Sequence, residues 1–211
     1  MKKLFAVLFA AILLCLALPL AASAAPTDIT AKFADTAFKA KVYEAIGKTA
    51  PAKIYDTDVA GIEFLNIPGA DIGGGLYDGT IQSLAGLEYF TGLKGLYCFG
   101  NKLTSLPALP VGLIDLYCYA NQLTSLPALP AGLANLYCQD NRLTGLDVTG
   151  LTLSRIRCDK NNMKSQADVK GFTGAWDGVN FIFDPQNTTP PAKLTIWQWI
   201  LKWIFFGWIW M

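Results

Sequence analysis

Apolar residues return along the middle of the chain every twenty positions, without a slip. Leu96, Leu116, Leu136 and Ile156 share one phase, Cys98, Cys118, Cys138 and Cys158 a second, and Asn101, Asn121, Asn141 and Asn161 a third. Alternation of apolar and polar positions through 96–99 and its copies predicts short, half-buried strands. An unbroken period with apolar residues at fixed offsets predicts a stacked solenoid, in which each copy buries its apolar side against the next. The asparagine three places after each cysteine suits a buried backbone bend, because one amide both donates and accepts. The Leu-Pro-x-Leu-Pro run that follows, as in Leu106–Pro110 and Leu126–Pro130, excludes a helix interior and predicts an extended, polyproline-like return path.

Each copy reads Leu-x-x-Leu-x-Cys-x-x-Asn-x-Leu, and over roughly residues 60–165 the chain resembles the leucine-rich repeats. The Leu-Pro-x-Leu-Pro ending resembles the short twenty-residue bacterial subtype found in secreted effectors and internalin-like surface proteins. The resemblance implies a parallel β-sheet on a concave side, an extended convex side and, as function, recognition of a ligand, most often a protein.

Flanking segments carry different patterns. The spacing between Phe33 and Gly47 predicts a helix capped by Asp35, with Phe38, Val42, Ala45 and Ile46 on one face and Gly47 as its stop. Such a helix would close the open end of the leucine core. Ile62, Leu65 and Ile67 fit an initial repeat, and the glycine-rich stretch from Pro68 to Thr80 reads as a loop. Trp176, Phe181 and Phe183 read as the apolar part of a C-terminal cap. The organisation expected is a signal peptide over 1–24, a helical N-terminal cap over 25–60, repeats over 61–165, a C-terminal cap over 166–185, a linker over 186–193 and an apolar tail helix over 194–211. Lys2 and Lys3, the apolar run Leu4–Leu20 and the small residues Ala22-Ser23-Ala24 carry the signal-peptide reading and imply export.

The tail holds five of the six tryptophans, Trp197, Trp199, Trp203, Trp208 and Trp210. As a helix it would be about 27 Å long, against a hydrocarbon core of about 30 Å. Tryptophans toward both ends resemble aromatic belts, and Lys202 in mid-segment favours an interfacial helix as the competitor to a span. Membrane association through this tail is the expectation, with packing on protein as the alternative.

Composition narrows the chemistry. A formal net charge of +1 argues against nucleic acid. With no histidine, Ser-His and Cys-His catalysis and histidine-based metal sites are excluded. Gly47-Lys48-Thr49 lacks the first glycine of a phosphate loop and follows a helix instead of opening one. The four repeat cysteines fall about 4.8 Å apart in a straight row, which cannot surround a tetrahedral zinc; buried free thiols are the expectation, no cofactor is called for, and no enzymatic site is found. Between the buried positions, three outward rows are expected on the concave side. They are Tyr97, Tyr117, Tyr137 and Arg157; Phe99, Tyr119, Gln139 and Asp159; and Gly95, Asp115, Asn135 and Arg155. Tyrosine offers large contact area plus a hydroxyl at modest entropy cost. Tyr97, Phe99, Asp115, Tyr117, Tyr119, Asn135, Tyr137, Gln139, Arg155 and Arg157 are the candidate ligand-binding residues. The function expected is that of an exported, envelope-associated binding module for a protein ligand; a cell-wall glycan binder or a membrane-active protein working through its tail are the alternatives.

Overall fold

The computed structural model describes residues 25–74 and 76–187. Its spine is a six-stranded parallel sheet, one short strand per rung: β1 (Phe64–Asn66), β4 (Gly95–Tyr97), β5 (Asp115–Tyr117), β6 (Asn135–Tyr137), β8 (Arg155–Arg157) and β10 (Phe181–Ile182). Register is kept throughout, so Leu65, Leu96, Leu116, Leu136, Ile156 and Phe181 lie side by side. Side chains alternate across a strand. The Leu96 and Cys98 phases therefore point inward, where every one is fully buried, and the Tyr97 and Phe99 phases point outward.

The asparagines stitch the rungs together. Asn121 Nδ2 donates to the carbonyls of Cys98, Cys118 and Tyr119 at 3.1, 3.1 and 3.2 Å, and its Oδ1 accepts from Leu103 N–H at 3.0 Å. Asn101, Asn141 and Asn161 repeat the pattern. Each amide thus satisfies backbone groups of its own rung and of the rung before it, groups that burial would otherwise leave orphaned. Gln186 takes over after the last copy, donating to Cys158 O at 3.0 Å and accepting from Asn161 N–H at 3.1 Å. Its longer side chain serves the role from a different backbone offset. Asn187 adds a bond to Lys160 O, so hydrogen bonding to the repeats continues into the first residues of the expected linker.

The helix predicted between Phe33 and Gly47 forms, with one change of face. Helix α1 (Thr36–Ala45) starts at Asp35, whose Oδ1 accepts from Ala37 and Phe38 N–H at 2.9 Å, and Gly47 ends it with φ +65°. Phe38, Val42 and Tyr43 are the buried side chains, whereas Ala45 is exposed. Tyr43 brings its own partner inward, its hydroxyl donating to Ala52 O at 2.7 Å, and so displaces the smaller Ala45 from the buried face. Phe33, Phe38 and Phe90 pack ring to ring at 5.7–6.5 Å, joining the cap to the first rungs. A second helix, α2 (Asp56–Ala60), buries Val59.

Two features depart from the sequence expectation. Within the Pro68–Thr80 stretch the chain forms an antiparallel hairpin, β2 (Asp71–Gly73) with β3 (Leu76–Tyr77). Its glycines and its strands of two or three residues leave no period for a pattern to show. On the return path β7 (Leu146–Asp147) pairs with β9 (Val169–Lys170), because Leu146-Asp147-Val148-Thr149-Gly150 replaces the Leu-Pro-x-Leu-Pro run and restores backbone donors. The return segments 106–110 and 126–130 have no regular hydrogen-bonded structure, in keeping with their prolines. Among the described residues no helix is long and apolar enough to cross a membrane; the expected tail helix and signal peptide lie outside them.

Candidate binding face

The outward side of the parallel sheet brings the three expected rows together. Tyr97, Tyr117 and Tyr137 occupy equivalent positions on β4, β5 and β6. Their rings follow one another at 5.0 and 4.4 Å between centroids. All three are half-buried, not fully exposed, because each ring leans on its neighbour. Burial, with the Asp115 carboxylate nearby, raises the hydroxyls of Tyr97 and Tyr117 above the ordinary tyrosine range, so both remain neutral donors at physiological pH. Arg157 closes this row on β8.

In the row on one flank, Asn135 Nδ2 donates to Asp115 Oδ1 at 2.7 Å, and Arg155 Nε donates to Asn180 Oδ1 at 3.4 Å. Gly95 occupies the same row on β4. A side chain there would meet the ring of Phe64 at 2.8 Å and that of Tyr97 at 3.0 Å. Phe64 itself remains 58% exposed, and it adds an aromatic ring to this edge that the repeat pattern did not single out.

The opposite flank is divided. Phe99 and Tyr119 stack at 4.5 Å with their planes 6° apart. Tyr77, from the β2–β3 hairpin, meets both edge-on at 5.7 and 6.0 Å. Burial and the neighbouring Tyr77 hydroxyl push the Tyr119 hydroxyl well up. The hairpin thus walls off the Phe99–Tyr119 half of the row, and these two side chains have a partner within the chain. Gln139 and Asp159 stand beyond the wall, with Asp159 only 4% exposed. No signal in the repeat pattern marks Tyr77, except that Gly100 breaks the series Ala120, Asp140, Lys160 at the left-handed turn position. A Cβ on Gly100 would lie 2.5 Å from the Tyr77 ring.

Nothing on this face assembles catalytic chemistry. The repeat cysteines are free and buried on the far side of the sheet. Burial pushes the Cys98 and Cys158 thiols up to about 12, and Cys118 and Cys138 well above the ordinary value. They are neither thiolate nucleophiles nor metal ligands in this state. Among the described residues no cluster of three or more acidic or cysteine side chains is placed to hold a metal ion. A recess of about 510 Å³ on the return side mixes Leu126, Leu129 and Leu151 with Asp147, Asp168 and Lys170, and brings no aromatic side chain to bear.

No protein-family model matches the chain, and neither does any curated protein. Among solved structures it is similar to the functional domain of InlJ from Listeria monocytogenes, a domain that includes a cysteine ladder. That likeness has a TM-score of 0.50 and 21% identity, over 80% of this chain and 45% of the other. Matches to a Shigella effector leucine-rich repeat domain (TM-score 0.37, 20% identity, 74% of this chain and 78% of that one) and to internalin C2 of Listeria monocytogenes (0.33, 18%, 82% and 94%) are looser. The chain spans less than half the length of the InlJ domain. In-register rungs, the asparagine stitching and the likeness to InlJ agree on one fold: the chain folds as a leucine-rich repeat solenoid.

Proposed function

We propose that the protein is an exported, envelope-associated module that binds a protein ligand across the open, concave face of its repeat sheet. The observation that carries this reading is the unbroken aromatic row Tyr97–Tyr117–Tyr137, set on three consecutive rungs with ring spacings of 5.0 and 4.4 Å. Aromatic rings held by a rigid sheet lose little entropy on binding and dominate interface energetics. The polar pair Asp115–Asn135 on one side supplies directional hydrogen bonds, and the Tyr77 wall on the other limits the ligand's approach. Leucine-rich repeats of this type most often bind proteins, which ranks a protein above a glycan as the ligand. The leader Met1–Ala24 would export the chain, and the tryptophans of 194–211 would hold it at a membrane surface.

The test is a binding screen of the full chain against protein, peptide and cell-wall glycan arrays, alongside a variant carrying Ser at Tyr97, Tyr117 and Tyr137. A protein hit weakened at least about tenfold in the variant is the expected result. A hit confined to glycans would replace the protein reading, and binding unchanged in the variant would overturn the role of this face.

A further inference from the structure

At the C-terminal end of the same face three polar atoms are buried and lack a hydrogen-bond partner: Gln139 Oε1, Arg157 Nε and Asp159 Oδ1. They lie on adjacent rungs. β6 and β8 pair Tyr137 with Arg157, and the pairing runs on past the strands, where Asp140 N–H donates to Asp159 O at 3.1 Å. Arg157 Nε stands 3.5 Å from Asp159 Oδ1, an ion pair by distance whose geometry makes no hydrogen bond. Asp159, 5% exposed, is thus joined to its cation by proximity alone. Among the described residues no other buried side-chain nitrogen or oxygen lacks a partner, and the repeat asparagines leave no such gap.

Matching donors against acceptors identifies what would complete the cluster. Gln139 Oε1 and Asp159 Oδ1 each call for a donor, and Arg157 Nε calls for an acceptor. A carboxylate brings no donor and would face Asp159, with Asp184 on the next rung. An ammonium or guanidinium brings no acceptor and would leave Arg157 Nε unpaired. A hydroxyl carries a single donor for two acceptors. Among the side-chain groups of a protein ligand a primary carboxamide alone offers what all three require, two N–H donors for the oxygens and a carbonyl for Nε, the set that water also offers. The Arg157 side chain is 39% exposed and makes no hydrogen bond to Asp159, so the cluster reaches the surface of the face at this residue, beside Tyr137.

We infer that Gln139, Arg157 and Asp159 form a specificity socket for a carboxamide of the protein ligand, supplied by an Asn or Gln side chain lying along Tyr117 and Tyr137. The inference rests on the protein-binding reading of this face and adds to it the chemistry of one anchor and its place. It puts the anchor at the end that the Tyr77 hairpin leaves open.

The experiment follows the Arg157 Nε–H and Gln139 side-chain amide resonances of the ¹⁵N-labelled full chain. Acetamide, sodium acetate and methylguanidinium chloride are the probes, each titrated at matched ionic strength. Acetamide is expected to shift both resonances saturably, at concentrations at least about tenfold below the other two probes, because the site rejects groups that leave a buried partner unmet. A Gln139→Met variant is expected to lose the acetamide response, and Lys102→Gln, at an exposed position outside the binding face, to keep it. A stronger response to acetate or to methylguanidinium overturns the inference in favour of an acidic or a basic ligand group. No response to any probe means that solvent alone fills the site, and overturns it as well. The titration of the unaltered chain decides by itself, should Gln139→Met fail to fold. Because the probes read the socket and not the tyrosine row, failure here leaves the array screen to judge the broader reading separately.

Discussion

Departures from the repeat carry more information than its conserved positions. Ala120, Asp140 and Lys160 all adopt the left-handed turn that Gly100 adopts, with φ of 52–54° against 70°, so the turn alone does not demand glycine. The Tyr77 ring does, by filling the place of a Cβ. Gly100→Ala should therefore cost about 1–3 kcal/mol by overpacking. In a Tyr77→Gly background, which also removes the Tyr77 Cβ that lies 2.7 Å from that place, the same change should cost less than about 1 kcal/mol, a coupling between touching residues that a double-mutant cycle in urea reads directly. Equal costs in both backgrounds would show that the backbone, and not Tyr77, requires the glycine. Gly95 follows the same logic beneath Phe64, and each glycine marks where a segment outside the period touches a rung.

Among the elements, Asp35 has the widest reach. Besides capping α1, its Oδ2 accepts from Gln82 and Ser83 N–H at 2.7 and 3.1 Å, which ties the cap to the chain leading into the regular rungs. Burial by itself would raise this carboxyl, but four backbone N–H donors outweigh it and hold the group below the ordinary value of 3.8. A depressed carboxyl contributes stability that is fully present above its unfolded-state pKa and lost as pH falls through the folded value. Asp35→Ala should cost about 2–4 kcal/mol at neutral pH, one cap plus two further hydrogen bonds. It should also flatten the acid side of the stability profile below about pH 4. Denaturation midpoints of both proteins between pH 2 and 7 would check this, and parallel profiles would remove Asp35 from the account. The helix and its cap were readable because Asp35, the spacing of Phe38 and Val42, and Gly47 are local signals. Tyr43 was not, since its burial depends on reaching Ala52 O, a contact that exists only after folding. The hairpin, the β7–β9 pair and Gln186 escaped for a related reason: each answers a neighbour's shape or unpaired donor, and none has a period of its own. The three outward rows were readable from the alternation alone. That Phe99 and Tyr119 are walled, and Asp159 buried, was not.

The whole solenoid is a single stack with four thiols at its centre line. Each is fully buried, and burial keeps each protonated far above neutral pH. Alkylation of native protein at pH 8 should therefore be limited by opening of the rungs. If the stack opens as one unit, Cys98, Cys118, Cys138 and Cys158 should label at one common rate when followed by peptide mass mapping. Graded rates, fastest at Cys158, would instead reveal fraying from the C-terminal end. The asparagine stitching has a different consequence for the history of such a chain. Because each amide closes the rung before it and presents its own rung for the next to close, an interior rung meets identical neighbours on both sides. A duplication of any twenty-residue unit would insert without orphaning a donor, lengthening the face by about 4.8 Å. The Tyr77 wall and the Gln186 closure, each used once, could not be copied in this way. Reach is thus free to drift by whole units while the two ends stay fixed, and on the proposed reading the distance between the wall and the amide socket would become the ruler by which one ligand is told from another.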